Sequence, residues 1–176
     1  LFQRPSARPP VREFRVEVGK TVEHPAQDGE AAVTITVRNL SNDTLRLRFV
    51  GDILPRNFDL VEGSVNATGG YPIWVRLDLP GAGTVWIVAV RNATIPPHGE
   101  LVLTYRMRVR ARGKVVLGPA IAAAEEPPSG KPVNSPQLWS VVSYISNAVP
   151  LDVSPSWVPL RRRGGEPKRA RRRGGR

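Results

Sequence analysis

The stretch Ala31 to Pro55, AAVTITVRNLSNDTLRLRFVGDILP, decides the fold class of this chain. Positions 33 to 37 and positions 44 to 49 both alternate between apolar and polar side chains. Such period-two alternation predicts two half-buried strands. The residues between them, Asn39 to Asp43, favour a turn, so we predict an antiparallel hairpin. Because a lone hairpin is only marginally stable in water, this one needs a partner sheet.

Further strand-like segments, separated by turn residues, continue along the chain. They lie at positions 11–22, 57–65, 73–79, 84–90, 101–110, 115–117 and 138–145. We interpret positions 120–135 as a loop whose alanines form at most one helical turn. This spacing predicts an all-β fold, an Ig-like antiparallel β-sandwich with extended N- and C-terminal segments. We assign residues 1–10 to a Pro- and Arg-rich segment, 11–160 to the sandwich and 161–176 to a basic tail.

The alternation also predicts which side chains face the core. We expect burial between the sheets for four of them, Leu47, Phe49, Leu103 and Tyr105. The segment at 84–90 is apolar on both faces. This pattern indicates either a central strand that is covered twice or a strand that carries an interface.

The net charge of +11 is concentrated at the C-terminal end, where positions 161–176 hold nine Lys or Arg and one Glu. The candidate anion-binding residues are Arg161, Arg162, Arg163, Arg169, Arg171, Arg172 and Arg173. Such a tail is either a solubilising end or an arm that binds nucleic acid or another anionic surface by releasing counterions. We expect no base stacking, because no aromatic residue follows Trp157.

Three Asn-x-Thr sequons begin at Asn42, Asn66 and Asn92, and each lies at a predicted turn where an acceptor amide is exposed. They favour a secreted, glycosylated protein located outside the cell, at its surface. The chain has no cysteine, so it has neither a disulfide framework nor a thiolate metal site. It also has no apolar run long enough to predict a membrane span.

Catalytic patterns do not emerge from the sequence. His24 and His98 each stand next to a proline in a predicted turn, without the spacing of a metal pair. There is no Gly-x-Ser-x-Gly motif and no phosphate-binding loop. A calcium site built from carboxylates near the turns is the one metal alternative. We therefore expect a non-enzymatic protein without a cofactor or a small-molecule substrate.

Two runs, NLSNDTLRLRFVGDILPRNFDLVEGSV and ATIPPHGELVLTYRMRVR, carry a family resemblance. Asn39, the segment Asp52 to Pro55, Gly63 and the segment Pro97 to Gly99 together resemble an Ig-like repeat domain of unknown function found in archaeal and bacterial surface proteins. The resemblance implies a spacer or adhesive module of the cell envelope, without enzymatic activity. From the residues themselves we expect Asp52 to cap a turn and Gly99 to supply a positive φ angle.

The N-terminal strand candidate, residues 11–22, suggests how copies of the chain assemble. Phe14, Val16 and Val18 lie on one face, and a Pro-rich segment precedes them. Such a strand can complete the open sheet of a neighbouring subunit, as in filaments that resemble archaeal threads or bundling pili in architecture. The alternative is that it pairs within its own sandwich. We therefore expect a homopolymeric subunit of a surface filament, pilus or sheath, and the alternative function is anion binding through the tail.

Overall fold

The computed structural model describes residues 14–23, 29–111, 113–126 and 140–153. These residues form antiparallel sheets that pack as a sandwich, which confirms the predicted all-β class. The strands are β1 Val16–Val22, β2 Glu30–Asn39, β3 Leu45–Leu54, β4 Phe58–Leu60, β5 Asn66–Ala67, β6 Tyr71–Leu79, β7 Gly83–Ile95, β8 Glu100–Val109, β9 Gly113–Leu117, β10 Ile121–Glu126, β11 Ser140–Ile145 and β12 Val149–Val153. Within the described ranges, no helix is long and apolar enough to cross a membrane.

Sheet A has the strand order β1-β2-β8-β4, and β5 pairs with β8 as well. Sheet B has the order β11-β10-β3-β7-β6. A third sheet contains only β12 and β9. All twelve strands fall within the predicted sandwich segment, while the proposed terminal segments lie outside the described residues.

The predicted hairpin of β2 and β3 is wrong, because the two strands belong to opposite sheets. β2 pairs with β1 and β8, and β3 pairs with β10 and β7. Residues 40–44 connect them across the sandwich. Five residues reach up to about 16 Å, which exceeds the about 10 Å between packed sheets. Each strand can therefore turn its apolar face towards the other sheet, and alternation alone cannot distinguish this arrangement from a hairpin.

Asn39 fixes this crossover from a fully buried position. Its side-chain Nδ2 donates to the carbonyl oxygens of Asp43, Ile95 and Pro96 at 2.7, 3.1 and 3.2 Å. Its Oδ1 accepts a hydrogen bond from the Ser41 amide at 3.0 Å. One side chain thus satisfies backbone groups of the connection and of the end of β7, which a buried loop requires.

The core lies between sheets A and B. Leu47, Leu103 and Tyr105 are buried as predicted. The prediction for Phe49 is wrong, since this ring is 42% exposed. The strands β3 and β10 change register at Ala123/Ala124, opposite this part of β3, and both residues 48 and 49 point outward. A β-bulge of this kind shifts the alternation by one residue.

The predicted loop at 120–135 is also corrected, because its first part is strand β10 in the interior of sheet B. Ala122, Ala123 and Ala124 are all buried. Alanine has a low strand propensity, but that preference is readily overridden by burial between neighbouring strands. The small side chains allow β10 to lie between β3 and β11 with consecutive residues buried on both faces of the strand.

Gly99 does not adopt the positive φ angle predicted for it, and the preceding His98 has a φ of 58° instead. A Cβ atom on Gly99 would lie 2.8 Å from Cγ of Pro96 and 3.1 Å from the Pro96 carbonyl oxygen. Glycine is required there because the chain folds tightly against Pro96, and this lack of space is not visible in the sequence.

Candidate functional site

A buried polar cluster of Lys20, Asp52 and Tyr105 joins the two sheets. Nζ of Lys20, on β1, lies 2.8 Å from Oδ1 and 2.7 Å from Oδ2 of Asp52, on β3. The Tyr105 hydroxyl, on β8, donates to Oδ2 of Asp52 at 2.7 Å. Nζ of Lys20 also donates to the Gly118 carbonyl oxygen at 2.8 Å. The carboxylate is therefore bound by two side chains from the facing sheet.

The environment of this cluster indicates a structural role. The side chains of Lys20 and Asp52 are 0% and 1% exposed, so the ion pair is closed off from solvent. Burial, together with the charge of Asp52 and its hydrogen bond, raises the pKa of Tyr105 well above its ordinary value. The phenol therefore stays protonated and remains a donor to the carboxylate.

Sequence reasoning missed this cluster, although a signal was present. Lys20 and Asp52 both occupy core-facing positions of their strands, Lys20 in the series 16, 18, 20, 22 of β1. A charged residue in an apolar series requires a buried partner. The predicted turn role of Asp52 is wrong, because the residue lies within β3, where its Oδ1 does accept the Ile53 amide at 2.9 Å.

The predicted donor strand pairs with β2 of its own chain. Its register runs from Val16 opposite Asn39 to Val22 opposite Val33. Phe14, Val16 and Val18, the predicted donor residues, are half-buried against the core of the same chain. This arrangement is the alternative that the sequence left open. Exchange of the strand between copies stays a prediction.

The free edge of β1 is occupied by the side chain of Asn147. The Lys20 amide donates to Oδ1 of Asn147 at 3.0 Å, and Nδ2 of Asn147 donates to the Lys20 carbonyl oxygen at 2.9 Å. The Asn147 amide thereby forms the pair of hydrogen bonds that a neighbouring strand would otherwise form. A capped edge is less able to pair with another chain.

The outer face of sheet B carries exposed or half-buried apolar residues on all five strands. We call this surface the outer patch. It consists of the exposed residues Phe49, Ile53, Tyr71, Ile73, Val75, Leu77, Leu79, Ile121, Val141 and Ile145, with half-buried Val85 and Ile87. Among the described residues, no further layer covers it. Contiguous exposed apolar surfaces of this kind mark interaction sites.

The strand register explains why the outer patch is continuous. Ile53 on β3 lies opposite Ile87 on β7, which in turn lies opposite Val75 on β6. Residues directly opposite each other in an antiparallel sheet point to the same face. The two-faced apolar segment at 84–90 is thus a strand whose inner face fills the core and whose outer face belongs to the patch. The strand is central, between β3 and β6, and among the described residues no second layer covers its outer face; that this face carries an interface stays a prediction.

β6 forms one edge of sheet B, as β1 forms one edge of sheet A. All its residues are exposed, and within the described chain it pairs with β7 alone. Gly70 positions its start: φ is 72°, and a Cβ there would lie 2.6 Å from Cγ1 of Val90. No hydrogen bond from another described segment reaches its open side in the manner of Asn147 on β1.

The predicted acceptor asparagines Asn42, Asn66 and Asn92 are all exposed. Only Asn42 lies in a turn as predicted, and its Oδ1 is 2.8 Å from Nε2 of His98. Asn66 lies in the short strand β5, and Asn92 lies within β7 at a φ of 52°. The predicted turns at Asn66 and Asn92 are wrong because residues that favour turns also occur in short or irregular strands. Whether the three residues carry glycans stays a prediction.

The outward arginines of β8 and its end are paired with carboxylates. Arg106 and Arg108 lie 3.4 and 2.7 Å from the Glu30 carboxylate, and Arg110 lies 2.8 Å from Asp59. They do not form an unpaired basic strip for phosphates. The predicted tail arginines lie outside the described residues. In the described ranges, no group of three or more metal-ligating side chains is arranged to hold an ion.

Comparison with known proteins identifies no family for this chain. No family model and no curated protein matches the chain, so the resemblance to the Ig-like surface repeat stays a prediction. Among solved structures, similar chains include a family 3b carbohydrate-binding module of Clostridium clariflavum, with 11% identity over 53% of this chain and 70% of that one and a TM-score of 0.39. A bacterial hydrophobin, BslA, has 16% identity over 83% and 97%, with a TM-score of 0.40.

The exo-β-N-acetylglucosaminidase of Vibrio harveyi gives 10% identity over 79% of this chain and a TM-score of 0.42. This chain spans only 18% of that enzyme's length. Scores and identities this low transfer neither a ligand nor an activity. The sandwich assignment therefore rests on the sheets described above.

Proposed function

We propose that this protein is a non-enzymatic structural subunit of an extracellular assembly at the cell surface, a filament, pilus or sheath. The observation that carries the proposal is the outer patch. Soluble monomers rarely expose an apolar surface that spans a whole sheet, since burying such area in an interface is favourable. In an assembly, neighbouring subunits would cover this apolar surface.

The buried cluster is consistent with a structural role. Its charged atoms are closed off from solvent, and they hold the two sheets together instead of binding a ligand. The exposed sequons at Asn42, Asn66 and Asn92 support an extracellular location, because glycan acceptors must be accessible. An intact mass of the natively produced protein above that of the polypeptide would support glycosylation.

Exchange of β1 is one route to such an assembly. In that arrangement Phe14, Val16 and Val18 enter a neighbouring subunit, and Lys20 binds the neighbour's equivalent of Asp52. The contacts seen within one chain are then formed between chains, as in domain swapping. A polymer built in this way resists heat and detergent, because release requires breaking a complete ladder of hydrogen bonds.

The second candidate function, binding of nucleic acid or another anionic surface, rests on the arginine-rich tail. The paired state of Arg106, Arg108 and Arg110 leaves the tail as the main candidate for such binding. Deletion of residues 161–176 would then abolish an affinity that falls steeply with salt. Binding that survives the deletion would move the site onto the sandwich.

The main experiment measures the association of the full chain by sedimentation over a range of concentrations. We expect wild-type oligomers, and Ile53→Lys in the outer patch should weaken association by about tenfold or more. Val116→Lys is the matched control, because Val116 is 64% exposed but lies on β9, outside the patch. Wild-type protein that stays monomeric at every concentration, or equal effects of the two variants, would contradict the proposal.

A further inference from the structure

We propose that β6 pairs edge to edge with β6 of a second copy of this chain, in an antiparallel register centred on Val75. This inference rests on the proposed function and names the contact through which two subunits meet. It differs from strand exchange, because both copies keep their own strands. Sheet B of one copy then continues into sheet B of the other.

The backbone of β6 is available for this pairing. In an antiparallel ladder, alternate residues direct their N–H and C=O groups to one side. Pro72 has no N–H, and a proline in an edge strand has its nitrogen on the open side, so the proposed ladder lacks one hydrogen bond at Pro72. Trp74, Arg76 and Asp78 share its parity, so their backbone groups point away from β7. Within the described chain these groups have no strand partner.

The side chains of β6 are complementary to themselves in the proposed register. Ile73 lies opposite Leu77 of the second copy, and Tyr71 lies opposite Leu79, so apolar residues of the outer patch face one another. On the other face Trp74 lies opposite Arg76, an arrangement that permits a cation–π contact. No like charges meet across the pair. A second copy therefore suits this edge better than a strand of unrelated sequence.

The edges at β1, β4 and β5 present larger obstacles to a long ladder than β6, which lacks one N–H at Pro72. β1 is capped by Asn147 and holds its buried Lys20 in the core. β4 and β5 are three and two residues long, too short to form a long ladder. β6 has nine residues, all of them exposed. A long, exposed and apolar edge pairs readily with another chain.

The symmetry of the contact defines its place in an assembly. Pairing of β6 with itself is isologous, so it closes on a dimer and cannot propagate alone. A filament or sheath requires a second contact on each subunit. The outer patches of the two copies lie side by side on one surface of the joined sheet, and this surface can supply that contact.

Cysteine cross-linking tests the register directly, because the chain contains no cysteine of its own. In the proposed register Val75 lies opposite Val75 of the second copy in a pair without hydrogen bonds, where Cα atoms are about 4.5 Å apart. A disulfide can span that distance. We expect oxidised full-length Val75→Cys to run as a covalent dimer. Val116→Cys should stay largely monomeric, although Val116, on β9, is more exposed than Val75, at 64% against 46%.

A mixing experiment sharpens the result. Ile73→Cys and Leu77→Cys should each form few cross-links alone but should cross-link efficiently when mixed, because they are opposite each other only between copies. Equal cross-linking of Val75→Cys and Val116→Cys would overturn the inference. If the wild-type chain is oligomeric but Val75→Cys does not cross-link, the inference fails and the proposed function stands. A wild-type chain that never associates would overturn both.

Discussion

The edge strands β1 and β6 differ in how they are anchored to the core and in how their open sides are bonded. β1 directs a lysine into the core, and the backbone N–H and C=O of that residue, Lys20, are bonded by Asn147. β6 is exposed along its whole length and, among the described residues, pairs within sheet B only with β7. An apolar alternation was visible in both segments. The difference is the buried ion pair, which ties β1 to the core, whereas the described part of the chain shows no buried ion pair on β6.

Removal of β1 should have the largest effect. Deleting residues 1–22 leaves Asp52 buried without its cation and opens the edge of β2. We expect no stable, soluble monomer in denaturant melts, and addition of a peptide of residues 11–22 should restore folding. Deletion of residues 1–10 alone serves as the control, since it leaves β1 in place. A soluble and stable 23–176 fragment would show that β1 is dispensable.

Loss of the buried ion pair should come next. Lys20→Met should lower the free energy of unfolding by about 3–5 kcal/mol, because removal of one partner leaves an uncompensated buried charge. The double variant Lys20→Met/Asp52→Leu should regain part of this loss in urea melts. Thr21→Ala, exposed on the same strand, is the control and should have little effect. A neutral Lys20→Met result would mean that β1 is not anchored by this pair.

The same cluster should make the fold sensitive to alkali. The pKa of Tyr105 is raised in the folded protein, so the unfolded chain loses its phenolic proton first as the pH rises. The contribution of Tyr105 to stability is therefore constant below about pH 10 and falls above it. Tyr105→Phe should reduce this slope in melts between neutral and alkaline pH. At neutral pH it should cost about 1.5–3 kcal/mol, the value of a hydrogen bond to a charged group.

Removal of the edge cap should have a smaller effect on stability. Asn147→Ala loses two hydrogen bonds to Lys20, each with a net value of about 0.5–1.5 kcal/mol. It should also open the β1 edge, so that light scattering reports more association than in wild type. Ala148→Ser, at an exposed neighbouring position, is the control. Unchanged association would mean that Asn147 contributes to stability without protecting the edge.

The sequence was informative where a single strand determines its own structure. Alternation located β2, β3, β6 and β8, and it correctly assigned Leu103 and Tyr105 to the core. It failed where two segments must be considered together. The β2–β3 crossover depends on which sheet each strand joins, and the role of Lys20 depends on a carboxylate 32 residues away in the chain. The same applies to β10, whose alanines form a strand only because β3 and β11 enclose them.

The same Val→Thr substitution on each edge strand compares the two edges most directly. It has the smallest expected effect on stability. Valine and threonine have nearly the same shape, so exchange of one for the other mainly introduces a hydroxyl group. Val18 on β1 is half-buried against the core, and Val18→Thr should cost about 1 kcal/mol or more because the hydroxyl loses water. Val75 is 46% exposed, and Val75→Thr should change stability by less than about 0.5 kcal/mol.

Yet the same Val75→Thr change should weaken dimerisation, because it places a hydrated group at the centre of the proposed contact. Urea melts and sedimentation of both variants would separate the two effects. A Val75→Thr variant that is as destabilised as Val18→Thr would show that β6 is packed within its own chain, and its edge would then not be free for a second copy.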